Sequence, residues 1–543
     1  MNESLVLAMN PGKYQVFDFI IIGGGSAGCV LANRLSANPT VSVCLLEAGP
    51  RDSSPLIHVP LAMPALFNHP VMNWRMNTVP QTGAGHRSIY VPRGKVLGGT
   101  SALNGMVYQR GHPSDYDDWA KAGNPGWSFK DVMPYFLKSE NNEIWKNSPF
   151  HGVAGPLVVT DLKTRSRTTE RFIAAGESLG YLRCEDFNAD NPEGFGYRQV
   201  TQRNGLRMSV ARAYLTPVKH RQNLVIVTGA LVDRVTFEGR RATGVRFLQD
   251  GVWQAFEARR EVLLSAGVFG SPQILQRSGI GAANELRALG ISVVHDLPGV
   301  GENLQDHAAI SLSYDTDNIE PYGLSWKVAP RLAWDGIQYL FFRRGLISSN
   351  VLEGNAFIRT HPALSRPDIQ FSFMPARRNP QRNVGFGHGY AMSTVVLRPY
   401  SRGSVQLITK AADEQPRIDL GLLSDERDVQ LILRGLKLAR RVLNSEPFAL
   451  YKGRESLPGA AVTDDQALIE FIRNNCGTTF HPVGTCAMGS GPNHVVDARL
   501  AVHGIEGLRV IDASIMPTQI GGNTNGPTVM IAEKAADLIL ASG

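Results

Sequence analysis

The sequence predicts an α/β chain, α+β overall, in which one parallel-sheet domain is assembled discontinuously and a second domain is inserted into it. Three observations carry this. Residues 17–49 read as strand, helix, strand. FDFIIIGGG is a continuous apolar run ending in glycine, SAGCVLANRLS has helical spacing, and VSVCLLEAG is a second buried strand. A similar pattern returns in mid-chain, where EVLLSAG enters the helical SPQILQRSG. It returns again near the far end, as GLRVIDASIMP followed by the helical PTVMIAEKAADLIL.

The segments between fill in the remainder. Residues 50–126 are loop-rich, dense in Gly, Pro and Asn, and residues 152–205 are mixed. Residues 224–248 alternate apolar and polar side chains, which predicts a meander of strands. Residues 310–460 form the expected second domain. They contain the strand-like GYAMSTVVLRP and GSVQLI and close on the helical DERDVQLILRGLKLARRVL. There is no internal repeat and no low-complexity segment.

Bulk properties exclude several classes of function. At 543 residues the chain exceeds a single core, and about three to four units of ordinary domain size are expected. Its 43% hydrophobic and 19% charged residues are those of a globular protein. No stretch approaches the roughly 18 uninterrupted apolar residues that a membrane span needs. The first residues, MNESLVLAMNPGKYQVF, lack a basic and then apolar leader, so no secretory signal is expected. The five cysteines are odd in number and scattered, which argues against a disulfide framework and for a reducing compartment. Their spacing is not that of a metal site, so no metal is expected. The net charge of +7 comes without a basic run or an RNA-binding signature, so nucleic acid is not an expected partner.

The first strand–helix junction carries chemistry. Gly23-x-Gly25-x-x-Gly28 permits a tight turn at Gly23, close approach of a pyrophosphate at Gly25, and helix-on-strand packing at Gly28. Ser26 and Ala27 open the helix, whose N-terminus faces the phosphates. Glu47 ends the second strand about twenty residues on, where a carboxylate accepts hydrogen bonds from a ribose. Together these predict dinucleotide binding, without separating FAD from NAD.

Longer motifs make that separation. GKVLGGTSALN (residues 94–104) resembles the first signature of the glucose–methanol–choline (GMC) oxidoreductase family. Ser265-Ala266-Gly267, Ser271-Pro272 and Ser278-Gly279-Ile280-Gly281 resemble the second. DLPGVGENLQDH, HPVGT and DASIMP look like the same family, and the likeness runs from about residue 18 to 540.

The resemblance implies a Rossmann-type FAD-binding domain, discontinuous in sequence, and a substrate domain on an antiparallel sheet with helices. The implied partition places the FAD-binding domain at 15–155, 215–309 and 466–543, and the substrate domain at 156–214 and 310–465. Around the cofactor it implicates Ala48, Arg93, Gly98, Gly99, Ser101, Asn104, Gly105, Val107, Val232, Ala266, Gly267, Asp512, Ala513, Asn525, Pro527 and Thr528. Members that attach FAD covalently carry a histidine just before the asparagine. Here that position is Leu103, so non-covalent FAD is implied. Asp512 could equally cap a turn. Pro527 fits the first turn of a helix whose positive end would face the flavin.

Alcohol oxidation needs a base for the hydroxyl proton, and a neutral imidazole is suited to it. His481, in TTFHPVGTCAMG, matches the family's catalytic histidine. The second catalytic position is histidine or asparagine in the family. Asn525 of GGNTNGPT is assigned to it, with Asn523 as the near neighbour. Phe480 and Glu353 are expected at the substrate, Glu353 as an attraction for a cation or else as a solvated loop residue. Thr479 is expected at the face of the flavin.

Within the family the likeness is to bacterial alkanol dehydrogenases, next to choline dehydrogenases. It implies oxidation of a primary alcohol to the aldehyde, with electrons passed to a quinone. A choline-type dehydrogenase, an oxygen-using oxidase, and a flavin-dependent lyase or decarboxylase on the same fold are the alternatives. The expected location is cytoplasmic, with peripheral contact to the inner face of the cytoplasmic membrane left open. WKVAPRLAWDGIQYLFFRR (residues 326–344) could lie in a membrane interface or pack on the domain as an amphipathic helix.

Overall fold

The computed structural model describes residues 15–378 and 386–541. Its first sheet grows from the opening strand–helix–strand unit. Strand β1 (Gln15–Ile22) runs parallel to β2 (Val43–Glu47) on one side and to Val252–Leu264 on the other, with helix α1 (Ser26–Leu35) between β1 and β2 in sequence. From Phe19 to Ile22 of β1 and along the whole of β2 the side chains on both faces are buried, as a continuous apolar run requires. Leu508–Val510 adds a further parallel strand from the end of the chain.

Residues 224–248 are not the simple meander that alternation predicts. Leu224–Thr228 joins the parallel sheet beside β2, and only Leu231–Glu238 and Arg241–Gln249 form an antiparallel hairpin. The unbroken apolar start of LVIVT is the parallel-strand signature that the window as a whole conceals.

Gly28 shows why this unit needs its glycines. A Cβ there would lie 1.9 Å from the carbonyl oxygen of Gly23, so helix and strand approach to a distance that no side chain fits.

The second sheet is antiparallel. Its strand order is Arg454–Leu457, Ala308–Thr316, Gly387–Val396, Ile369–Met374, Gly354–Ile358 and Gly194–Tyr197. Alternation decides its two faces. Ile369, Phe371 and Phe373 are fully buried in a core with helices Glu426–Leu443 and Arg167–Ser178. Gln370, Ser372 and Met374 point the other way, into a cavity between the two sheets.

The C-terminal helix Asn525–Leu540 returns to α1. Arg34 donates to Glu533 through Nε (2.8 Å) and Nη2 (2.6 Å), and Tyr214 donates to the same carboxylate at 2.8 Å. Glu533 is completely buried, so its three donors carry the cost of desolvating it. All five cysteines are buried free thiols.

Residues 326–344 hold the helix Ala329–Phe342, and of its side chains only Tyr339 is buried. Trp334, Ile337, Leu340, Phe341 and Phe342 are exposed, so this is not an amphipathic helix packed by its apolar face. Among the described residues no helix is long and apolar enough to cross a membrane.

Candidate active site

A cavity of about 930 Å³ runs between the sheets. Glu47, Ala48 and Val232 line one end, Gly23, Gly25, Ser26 and Ala27 its floor, and Phe480, His481 and Asn523 the other end. Arg93, Gly99, Asn104, Gly105, Val107, Ala266, Gly267, Asp512, Ala513, Asn525 and Thr528 also line it. The sequence therefore brings nearly all of its expected residues to one continuous space. Gly28, Gly98, Ser101 and Pro527 stand behind the wall and shape it.

The glycine-rich segments interlock. Gly98 N–H donates to the Gly24 carbonyl at 2.7 Å, and the Ser101 hydroxyl donates to the Gly98 carbonyl at 2.6 Å. Gly99 has φ +53°, and a Cβ on it would lie 2.7 Å from Gly25 Cα. Two backbones thus meet where a flat ligand can lie against them. Glu47 stabilises the same turn: its Oε2 accepts from Gly24 N and its Oε1 from Gly49 N, both at 2.8 Å. Burial outweighs these bonds and pushes the carboxyl up to about 7.

Asp512 caps a turn and also lines the cavity. Its Oδ1 caps the turn at Ser514 N (2.8 Å), while Oδ2 accepts from Ser271 Oγ (2.6 Å) and Gly267 N (2.9 Å) at the cavity wall. Asn104 is held by Arg207, whose Nη1 donates to its Oδ1 (2.9 Å) and to its carbonyl (2.6 Å).

The loop carrying His481 is fixed through its backbone. His481 N–H donates to Asp306 Oδ1 at 2.8 Å, and its carbonyl accepts from Gln519 Nε2 at 2.9 Å. Arg93 Nη2 donates to the Phe480 carbonyl at 2.7 Å. Phe480 sits at φ +66°, a conformation that a side chain adopts only when its surroundings hold it there.

The partners of the imidazole assign its tautomer. His307 Nε2 lies 3.1 Å from the Leu397 carbonyl and 3.0 Å from that of Ile520, so it carries the proton. His307 Nδ1 is then an acceptor, and it lies 3.1 Å from His481 Nδ1. The hydroxyl of Thr479 is 2.9 Å from the same His481 nitrogen, rather than serving only the flavin face. With its proton on Nδ1, His481 presents a lone pair at Nε2, which accepts from Asn523 Nδ2 at 2.9 Å. Burial, then repulsion from His307, Arg93 and Arg198, holds the His481 pKa well below the ordinary histidine value. Burial takes His307 down to about 4, so both rings are neutral at physiological pH.

Two expectations are corrected. The partner of His481 is Asn523, not Asn525. Asn525 Oδ1 instead accepts from Ser26 Oγ at 2.7 Å, on the dinucleotide side of the cavity. The reason is local: Asn525 is the first residue of the C-terminal helix, which turns its side chain toward α1, whereas Asn523 precedes the helix.

Glu353 is neither at the substrate nor solvated. It is fully buried behind the cavity wall, and its oxygens accept from Ser166 N (2.8 Å), Thr169 Oγ1 (3.0 Å), Tyr322 OH (2.9 Å) and Ser349 Oγ (3.0 Å). Four donors saturate it, leaving nothing for a cation. Sequence reasoning also missed His307, although it ends the quoted DLPGVGENLQDH motif. It missed Arg198, which no motif marks.

Comparison with known proteins agrees with this architecture. Family models described as GMC oxidoreductase match residues 17–309 and 399–532. An alcohol dehydrogenase [acceptor] of Pseudomonas putida is 44% identical over 97% of this chain and 96% of its own length. An oxygen-dependent choline dehydrogenase of Pectobacterium atrosepticum is 44% identical over 96% and 94%. Among solved structures, pyridoxine 4-oxidase from Mesorbium loti superposes with a TM-score of 0.87 at 32% identity, covering 96% of this chain and 98% of its own. A formate oxidase superposes with a TM-score of 0.90 at 28% identity, covering 97% and 99%. The cofactor is FAD, and the cavity fits it: a glycine-lined floor, a helix N-terminus at the phosphate position, and a carboxylate at the ribose end. The chain belongs to the GMC oxidoreductase family.

Proposed function

We propose that the protein oxidises a primary alcohol to the aldehyde, with His481 as the base. One observation carries the mechanism: the chain from the Leu397 and Ile520 carbonyls through His307 leaves His481 Nε2 unprotonated beside the Asn523 amide. An alcohol oxygen placed between them gives its proton to Nε2, and Asn523 Nδ2 donates to the developing alkoxide. FAD, when bound, supplies the hydride acceptor. Phe480, Phe67, Leu352 and Met374 give the space around the pair an apolar lining suited to an alkyl chain. The relatives named as alcohol and choline dehydrogenases support this chemistry.

Anaerobic mixing with a panel of alcohols tests it. Flavin absorbance is expected to bleach with alkanols; if none bleaches it, a lyase or decarboxylase reading replaces oxidation. The pH profile has a stated sign. Because the pKa of His481 is lowered, the base stays free as pH falls through the ordinary histidine range. The acid limb of the bleaching rate is therefore expected below about pH 6.5.

Electrons then pass to an external acceptor, for which we propose a membrane quinone. The support is the exposed face of Ala329–Phe342, where Leu340, Phe341 and Phe342 are each about two-thirds exposed. Lys327, Arg331 and Arg344 are exposed around it. An apolar face with a basic rim suits the surface of an anionic bilayer. The protein is expected to float with phosphatidylglycerol vesicles, and a double Leu340→Asp, Phe341→Asp variant to stay behind. Equal flotation of the two would overturn the placement.

A further inference from the structure

Arg198 is 4% exposed and follows strand Gly194–Tyr197 at the edge of the cavity roof. Its backbone N–H donates to the Glu353 carbonyl at 3.0 Å, which fixes where the side chain starts. Its Nε (3.3 Å) and Nη2 (3.1 Å) both reach Asn355 Oδ1, an amide oxygen that also accepts from Gln370 Nε2 at 2.7 Å. No carboxylate among the described residues pairs with it, and Nη1 has no protein acceptor among them. Arg198 lines the same cavity as His481 and Asn523 and is close enough to depress the His481 pKa.

The acids of this cavity do not balance it. Glu47 and Asp512 are engaged by backbone N–H groups and a serine hydroxyl, and Asp413 and Glu414 are exposed at the mouth. A buried guanidinium without a counter-ion is costly to the fold, and two hydrogen bonds to one neutral amide oxygen offset only part of that cost. An apolar residue of the same length would serve the structure better. Three of the other buried arginines have a carboxylate: Arg110 pairs with Glu140, Arg509 with Glu261 and Arg277 with Asp233. Arg207, which has none among the described residues, is held by three backbone carbonyls behind the wall.

We infer that Arg198 is a substrate-binding residue, and that the alcohol taken by this site carries a carboxylate that completes the guanidinium's unfilled valences. A guanidinium binds a carboxylate through parallel N–H···O bonds, which supply both orientation and charge neutralisation. The inference rests on the alcohol-oxidation proposal above, and it separates this chain from a site for a cationic alcohol. A quaternary ammonium would meet the repulsion of Arg198 and Arg93 with no carboxylate free to offset it.

The test uses the FAD-loaded protein with three probe sets: ω-hydroxycarboxylates of graded length, the chain-matched n-alkanols, and choline with its uncharged carbon isostere dimethylbutanol. The best hydroxycarboxylate is expected to exceed its matched alkanol in kcat/KM, and dimethylbutanol to exceed choline. In Arg198→Met the first ratio is expected to fall about 10- to 100-fold, the range of a charge-assisted hydrogen bond. Arg198→Lys, which keeps the charge but loses the fork, is expected to lie between, and it serves if the methionine variant does not fold.

Two outcomes overturn the assignment. One is an alkanol oxidised as well as its hydroxycarboxylate by the native protein. The other is an Arg198→Met variant that slows all substrates equally and lowers the flavin midpoint potential, which would give Arg198 to the cofactor. In either case alcohol oxidation stands. Absence of bleaching by any alcohol would instead remove the oxidation proposal, and this inference with it.

Discussion

Replacing His481 with alanine is expected to leave a yellow, FAD-loaded protein in which alcohol reduces the flavin about 10²- to 10⁴-fold more slowly, the range of a lost general base. The size follows from the surroundings. His307 cannot substitute, because its Nε2 is tied to two carbonyls and burial holds its pKa at about 4. Asn523 has no basicity, and no other titratable group is hydrogen-bonded to His481 Nε2 among the described residues. Folding should survive, since Asp306 and Gln519 hold the backbone of residue 481 and Arg93 holds that of Phe480. Anaerobic stopped-flow absorbance makes the measurement. Bleaching at the native rate would remove His481 from the chemistry.

The second large effect discriminates between two asparagines separated by one residue. Asn523→Ala is expected to slow flavin reduction about 10²- to 10³-fold, as the loss of one preorganised donor to a developing oxyanion does. Asn525→Ala should act differently. Its carbonyl partner is the Ser26 hydroxyl in the loop at the dinucleotide, so weaker retention of FAD is expected, read as flavin released on gel filtration. Measured together, the pair gives opposite signatures: a slow holoenzyme for one, a leaky one for the other. If Asn525→Ala were the slow, fully loaded variant, the assignment drawn from the sequence would be restored.

These two asparagines show what one sequence can and cannot disclose. The cofactor half was legible because its constraints are local: a tight turn, a helix start and a strand end occur at fixed offsets, and Gly23, Gly28 and Glu47 occupy them. The family motifs extended this to the cavity wall. The side-chain directions of Asn523 and Asn525 depend on where a helix begins, and a shift of one residue there reverses the choice. Pro527 held a usable signal, since it sets the first turn and so draws Asn525 into the helix. Glu353 failed for another reason. Its four donors come from residues 166, 169, 322 and 349, and no local pattern reports such a convergence. Arg198 is harder still, because its significance lies in the carboxylate that is missing from its neighbourhood.

The return of the C-terminal helix to α1 sets an order on biosynthesis. The phosphate loop leaves the ribosome nearly 500 residues before Leu508–Val510, Asn523 and the helix that clasps α1 through Glu533. A nascent chain stalled anywhere between holds the dinucleotide loop without the wall that closes over it. Flavin capture is therefore expected to follow synthesis of the C-terminal helix, because the site has no closing wall before it. In cells short of riboflavin, the species that accumulates is expected to be a full-length apoprotein.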